Sequence, residues 1–293
     1  MNKTLLIITI ALAALGFGCG HGRGGGDVAM TAHDEIHKTF KLSPGAHVEV
    51  AGINGSVKIE TSDGDVAEVH ILRDASDQQT LAKTAVDIVQ SPNSLSVLGE
   101  QQSGGSFLRE IFDTKQHRSR LQVTLKIPKQ VDLLAKGING PVTVGEINGP
   151  VVVKSVNGPV EIAQAASNSE VKGVNGPVSI KIAQLGEQGP SVSSVNGNIQ
   201  ILLADNLNAD VDVKGINGRV HSEMQNVTIE EEKNNRHYHA RVGNGGTEIS
   251  VSGINGNVTL VSAAMKDKEK DAKQKDSKQK DDKPSEEEAD VKS

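Results

Sequence analysis

Apolar and polar residues alternate in short runs along most of this chain. In Glu170-Val171-Lys172 and Val178-Ser179-Ile180-Lys181-Ile182 the aliphatic residues share one parity and the polar residues the other. That is the period of a β-strand with one buried face. Val and Ile are expected to point inward, and Lys, Glu and Ser outward. Residues 34–135 carry the same signal less regularly, at Phe40-Lys41-Leu42, Val48-Glu49-Val50, Val57-Lys58-Ile59, Val66 to Ile71, Val86 to Val89, Leu95-Ser96-Val97 and Leu121 to Leu125. A turn is expected at Ser91-Pro92-Asn93-Ser94.

Between these strands one element recurs, [Ile/Val]-Asn-Gly-x-[Val/Ile], centred on Asn54, Asn139, Asn148, Asn157, Asn175, Asn196, Asn217 and Asn255. Asn139, Asn157, Asn175, Asn196 and Asn217 are separated by 18, 18, 21 and 21 residues, and Asn148 halves the first interval. A short fixed period is the mark of one unit stacked on itself, so the pattern predicts an all-β, single-domain solenoid resembling a parallel β-helix. Turn-like clusters at Ala166-Ser167-Asn168, Glu187-Gln188-Gly189-Pro190 and Asn206-Leu207-Asn208 fall near the later midpoints, giving each winding two corners. Gly or Ser stands two residues before Asn everywhere except at Glu146. A small residue there is expected to avoid collision inside a tight bend. Successive windings then pile their aliphatic side chains into one dry interior.

Asn-Gly between alternating strands is also the strongest short hairpin signal. The residue after Gly argues for a corner instead. A two-residue hairpin needs that residue's N–H to close the turn, and Pro141, Pro150, Pro159 and Pro177 have none. The 293-residue chain has no Trp, one Tyr and four Phe, which suits a narrow bore filled by Val, Ile, Ala and Gly better than a globular core.

The ends speak of location. Met1-Asn2-Lys3, an apolar run from Leu5 to Leu15, and small residues up to Cys19 have the layout of a secretory signal over residues 1–18. Cys19 is the chain's one cysteine, so no intramolecular disulfide is available. Its position resembles a bacterial lipoprotein signal, in which the cysteine is acylated and becomes the mature N-terminus. Leu15 stands four residues before it rather than the usual three, and cleavage by the ordinary peptidase after Gly16 or Gly18 is the alternative. Residues 19–33 are glycine-rich and read as a flexible spacer. The domain is expected over 34–264, followed by a charged tail, 265–293, that cannot bury enough to fold. Net charge is −6 with no basic face or interleaved aromatics, which argues against nucleic acid as a partner.

Ile127-Pro128-Lys129 before the packed repeats, the Gly-Ile-Asn-Gly signatures, and Gly243-Asn244-Gly245-Gly246-Thr247-Glu248-Ile249 before the closing Gly253-Ile254-Asn255-Gly256 make the chain similar to the DUF4097 and head-GIN group of bacterial adhesin-like proteins over roughly residues 34–262. The resemblance implies an exported β-helix-like domain. Its function in that group is a label by analogy.

Three constellations bear on chemistry. His33-Asp34-Glu35-Ile36-His37 lacks the Glu directly after the first His, and the helix, that the zinc-protease pattern needs. His237 and His239 share a strand face near Glu230, Glu231 and Glu232, on what reads as a protruding hairpin from Gln225 to Gly246, and could take zinc or copper. Asp210 and Asp212 would point outward side by side, with Lys214 on the same face, a possible acid/base pair on a polysaccharide. Exposed polar strands account for all three. The sequence therefore predicts a protein that is not an enzyme and carries no cofactor or bound metal, held to a membrane through lipidated Cys19. The eight asparagines are its structural turns, and its partner is an envelope glycan or protein. The alternatives are a polysaccharide-active enzyme and a metal-binding envelope-stress sensor.

Overall fold

The computed structural model describes residues 29–99, 119–165, 168–232 and 236–266. Cys19, most of the spacer and the tail beyond residue 266 lie outside them. In chain order the first elements are β1 (Ala32–Lys41), β2 (Ala46–Ala51), β3 (Gly55–Ser62), β4 (Val66–Ala75), α1 (Gln78–Lys83), β5 (Val86–Ser91), β6 (Ser94–Gly99) and β7 (Ser119–Pro128). The repeats supply β8 (Val131–Asn139), β9 (Val142–Glu146), β10 (Val151–Asn157), β11 (Val160–Ala165), β12 (Glu170–Asn175), β13 (Val178–Ile182), β14 (Ser191–Asn196) and β15 (Ile199–Leu203). The remainder is β16 (Ala209–Lys214), β17 (Val220–Ser222), β18 (Val227–Glu232), β19 (His237–Val242), β20 (Thr247–Asn255) and β21 (Val258–Ser262).

Two sheets face each other across the aliphatic interior. One runs β1-β4-β7-β3-β9-β11-β13-β15-β21-β17, the other β18-β19-β16-β20-β14-β12-β10-β8-β2-β6-β5. The repeat strands pair in parallel, each with the equivalent strand of the next winding. The hairpin reading of Asn-Gly is thereby excluded, because each corner carries the chain from one sheet to the other. Register is strict: Val57, Val142, Val160, Val178, Ile199 and Val258 lie side by side, and all are buried. Period-two alternation allows nothing else, since a one-residue slip would turn every Val outward.

The corners are held by a column of amides. Asn139 Nδ2 donates to Asn54 Oδ1 at 3.1 Å, Asn157 to Asn139, Asn175 to Asn157 and Asn196 to Asn175 at 3.0 Å each, Asn255 to Asn196 at 2.8 Å, and Asn217 to Asn255 at 3.2 Å. Asn54 Nδ2 ends the run on the Ser119 carbonyl at 3.1 Å. Every amide points the same way; reversing one would set oxygen against oxygen. Asn148 stands apart, at the opposite corner, its N–H on the Lys129 carbonyl.

Beside the amides runs a column of glycines. A Cβ on Gly158 would lie 2.5 Å from the Gly140 carbonyl oxygen, and one on Gly176 would lie 2.4 Å from that of Gly158. No side chain fits there. In most windings the small residue two before Asn has a different cause from the collision expected. At Gly173 a Cβ would meet nothing nearer than 3.7 Å, but φ is +67°, and Ser155 holds the same left-handed backbone at +55°. Conformation selects that position at Gly52, Gly137, Ser155, Gly173 and Gly215, all of positive φ, whereas Ser194 and Gly253 do not share it and a Cβ on Gly253 would lie 3.3 Å from the Ile216 side chain.

The prolines also find their reason. The carbonyls of Pro141, Pro159 and Pro177 accept from Val57, Val142 and Val160 N–H, each at 2.9 Å. Where the repeat has Asn257 or Arg219 in place of proline, the main-chain N–H donates to the side chain of Asn198 or Asn257 at 2.9 Å. The N–H at this position thus needs an added acceptor, and proline removes it altogether.

Four features depart from the sequence expectation. The windings are not stacked in chain order: β20–β21 inserts between β14–β15 and β16–β17, and β2–β3 lies between β6–β7 and β8–β9. A helix, α1, interrupts the strands, capped by Asp77, whose carboxylate accepts from Thr80 N–H at 2.8 Å; six residues are too few to display a helical period. The β18–β19 hairpin does not protrude. It lies antiparallel on β16 and closes the second sheet, as β5 closes it at the other end. The strand β1 also begins at Ala32, so the spacer yields to strand before residue 34.

Two outcomes follow from this packing. Gly173→Ser should cost about 1 kcal/mol, as for one left-handed residue, whereas Gly176→Ala should cost more than ~3 kcal/mol or prevent folding; urea denaturation of both variants measures the contrast. A chain ending at Gly246 should lose amide protection throughout 204–246, while β8 to β13 stay protected in hydrogen exchange, because β20–β21 is the neighbour on which β16 and β17 rest.

Candidate functional site

A polar cluster lies where the second sheet ends. Along β16, Val211 and Val213 are fully buried, which turns Asp210, Asp212 and Lys214 to the outer face. Strand β19 sets Arg241 opposite Asp210, His239 opposite Asp212 and His237 opposite Lys214, and β18 places Glu230 and Glu232 beyond His239 and His237. Two groups that are separate in sequence, the acidic pair and the histidine pair, thus become one surface.

Its contacts are specific. His237 Nε2 meets Asp212 Oδ1, and His237 Nδ1 lies 3.2 Å from Glu232 Oε2. Lys214 Nζ is 2.5 Å from Asp212 Oδ2, an ion pair whose alignment does not make a regular hydrogen bond. Asp210 accepts from Gly246 N–H at 3.0 Å and has Arg241 Nε at 3.4 Å and His239 Nε2 at 3.5 Å. Although outward-facing, Asp212 is only 7% exposed, because His237 covers it.

These surroundings fix the charges. The Gly246 N–H, helped by Arg241 and His239, holds the Asp210 carboxyl below its ordinary range. Burial pushes Asp212 up, but Lys214 and His237 outweigh it and leave that carboxyl low as well. The bond to Asp212 raises His237, with Glu232 adding to it, and Asp212 likewise raises Lys214. Both aspartates stay ionised, Asp210 beside Arg241 and Asp212 beside Lys214 and His237, so neither holds a proton to give to a leaving group. The arrangement is an electrostatic clamp that fastens the closing hairpin to the rod.

The other candidates are also strand residues with partners. His33 Nδ1 lies 2.7 Å from Asp74 Oδ1, His70 Nε2 lies 2.6 Å from Glu35 Oε1, and Arg73 pairs with Asp34. His37 meets the His70 ring edge-on at 6.0 Å. All of β1 is strand, so the helical zinc-protease arrangement is not formed. Among the described residues no three His, Cys, Asp or Glu side chains converge as a metal site.

Sequence reading missed a feature that depends on register. Lys136, Lys154 and Lys172 are direct neighbours on successive rungs, with Lys136 paired to Glu49 and Lys154 to Glu170 at 2.8 Å each. On the other sheet Thr143, Glu161, Ser179, Gln200 and Thr259 form an equivalent row. The 18-residue spacing of the three lysines was the available signal.

The clamp has two pH limits. Its Asp212 contribution is present above the ordinary carboxylate range and lost as pH falls through the depressed folded value. The His237 contribution is fully present below the ordinary imidazole value of 6.5 and lost as pH rises through the raised one. Amide opening of β18 and β19, corrected for intrinsic exchange, should be slowest in mildly acidic solution. In His237→Gln the alkaline loss should vanish; its persistence would assign that limb to other groups.

Comparison with known proteins came to the same family that the repeats resemble. Residues 132–261 match the family model described as Toastrack DUF4097. No curated protein matches the chain. Among solved structures, a candidate cell adhesion protein from Clostridium sporogenes ATCC 15579 aligns at 10% identity over 78% of this chain and 100% of its own, with a TM-score of 0.39. A candidate adhesin from Bacteroides fragilis NCTC 9343 aligns at 13% identity over 78% and 97%, with a TM-score of 0.30. A candidate lipid binding protein from Parabacteroides distasonis ATCC 8503 aligns at 12% identity over 77% and 96%, with a TM-score of 0.23. Over residues 132–261, the repeats from β8 to β21, this chain is thus similar to the Toastrack DUF4097 family.

Proposed function

We propose that this protein is a non-catalytic, exported envelope protein that presents its solenoid as an adhesin-like interaction surface. The support is the rung-upon-rung register. Every outward position recurs at the strand spacing of about 4.8 Å, so a contact too weak to hold alone is repeated along rows such as Lys136, Lys154 and Lys172. Repeated weak contacts on a rigid frame bind an extended partner by avidity, without a deep pocket. An envelope glycan or an envelope protein fits that requirement.

Export and anchoring belong to the same proposal and rest on the amino-terminal residues. The apolar run from Leu5 to Leu15 directs secretion, acylated Cys19 supplies the membrane anchor, and the glycines after it hold the rod off the surface. The polysaccharide-enzyme alternative is not favoured, because Asp210 and Asp212 are paired with different basic residues, Arg241 with the first and Lys214 and His237 with the second.

Binding of the mature protein to isolated envelope tests this function. Lys136→Ala, Lys154→Ala and Lys172→Ala together should weaken binding by about tenfold or more, each single change far less, as avidity requires. Equal loss from one substitution would point to a single discrete site. Glycan depolymerisation that disappears in Asp210→Asn/Asp212→Asn would establish the enzyme instead.

A further inference from the structure

The nine Asn-Gly pairs, the eight of the repeat and Asn244-Gly245, invite a covalent question that the amide column answers for seven of them. In an Asn-Gly sequence the glycine nitrogen can attack the asparagine Cγ. Ammonia leaves, a five-membered succinimide forms, and water opens it at either carbonyl to give aspartate or isoaspartate. No catalyst or co-reactant beyond water is needed. Glycine favours the attack because it has no side chain to obstruct it. What controls the rate in a folded chain is whether Cγ is free to swing onto that nitrogen.

In the column it is not free. From Asn139 to Asn196, and at Asn255, each amide both donates to one neighbouring rung and accepts from the other. Rotation toward the following glycine breaks both bonds. The attacking nitrogen is itself engaged at Gly158, which donates to the Asn175 carbonyl at 3.1 Å, and at Gly197, which donates to that of Asn255 at 2.9 Å. Asn54 is held on Oδ1 by Asn139 and on Nδ2 by the Ser119 carbonyl. Asn217 ends the column with a single amide bond, to Asn255.

Asn148 lies outside the column. Its main-chain N–H is fixed to Lys129, but among the described residues its side-chain amide has no hydrogen-bond partner, and neither does the Gly149 N–H. Asn244-Gly245 also lies outside the column, and among the described residues its side-chain amide has no hydrogen-bond partner, but the attacking Gly245 N–H donates to the Val242 carbonyl at 3.1 Å. We infer that Asn148-Gly149, where both the amide and the attacking nitrogen are without partners, is the chain's fastest site of spontaneous deamidation, that Asn244-Gly245 follows it, and that the amide column protects the other seven pairs, least of all Asn217. The product alters the corner. Isoaspartate routes the main chain through Cγ, adding an atom next to Gly149, where a Cβ would already lie 2.2 Å from the Val131 carbonyl oxygen. Either product adds a negative charge two residues from Glu146, which shares Lys129 with Asp63.

Incubation of the folded protein at mildly alkaline pH, followed by peptide mapping with mass detection of amide-to-acid conversion, provides the test. The Asn148 peptide should convert at least about tenfold faster than any peptide from Asn54 to Asn196 of the column, since those must first give up two hydrogen bonds. Asn217 and Asn244 should be intermediate. In denaturant all nine sites should converge on similar rates. Asn148→Gln should remove the fast conversion and leave the column peptides unchanged. Column peptides converting as fast as Asn148 in the folded protein would overturn the inference. So would an Asn148 that stays intact while the denatured chain converts.

Discussion

The close approach of main chains at the Asn-Gly corner governs the rest of this structure. Parallel strands must lie about 4.8 Å apart, and at the corner that spacing drives one winding's carbonyl oxygen into the space where the next winding's Cβ would be, as Gly140 meets Gly158. Only glycine satisfies the contact. Once the corners stack at that distance, the preceding asparagines are brought into mutual hydrogen-bonding range and lock into a single directed column. Aligned amides polarise one another, so the column favours a continuous stack over isolated pairs. The aliphatic rows inside and the polar rows outside inherit their register from it.

A stack of windings has two open ends, and unpaired strand edges invite association. Here antiparallel strands cover both sheets at one end, β5 and the β1–β4 pair, and the second sheet at the other, β18–β19, where the first sheet stops on the short three-residue strand β17. Threading adds a second device. Because β20–β21 enters between two earlier windings, the end is interlocked rather than merely laid on, and pairing there waits for the last part of the chain. The electrostatic clamp from Asp212 through His237 to Glu232 sits on this closing hairpin, so the most perturbed charges of the described surface serve its least continuous part.

That placement separates two ideas of what charged rows are for. Carboxylates poised for acid/base chemistry need unequal environments, one keeping its proton and one losing it. Asp210 and Asp212 are both pushed downward, by different donors. The repeated outward residues have another property, uniform spacing on a stiff frame, which is what an extended polymeric partner can use.

The amino-acid sequence by itself determined the local rules: which residues are strand, which side faces in, where the chain turns, and that the unit repeats. These were legible because each rests on near neighbours, such as Val alternating with Lys, or Pro denying an N–H to a hairpin. Only tertiary structure decided which winding lies beside which. Asn255 joins Asn196 and Asn217 across 59 and 38 residues, and no local pattern records that order, because every corner carries the same residues and could stack on any other. The union of Asp212 with His237 was hidden for the same reason. Strand alternation gives the face of a side chain, whereas its neighbour across the ladder depends on how the whole chain is threaded.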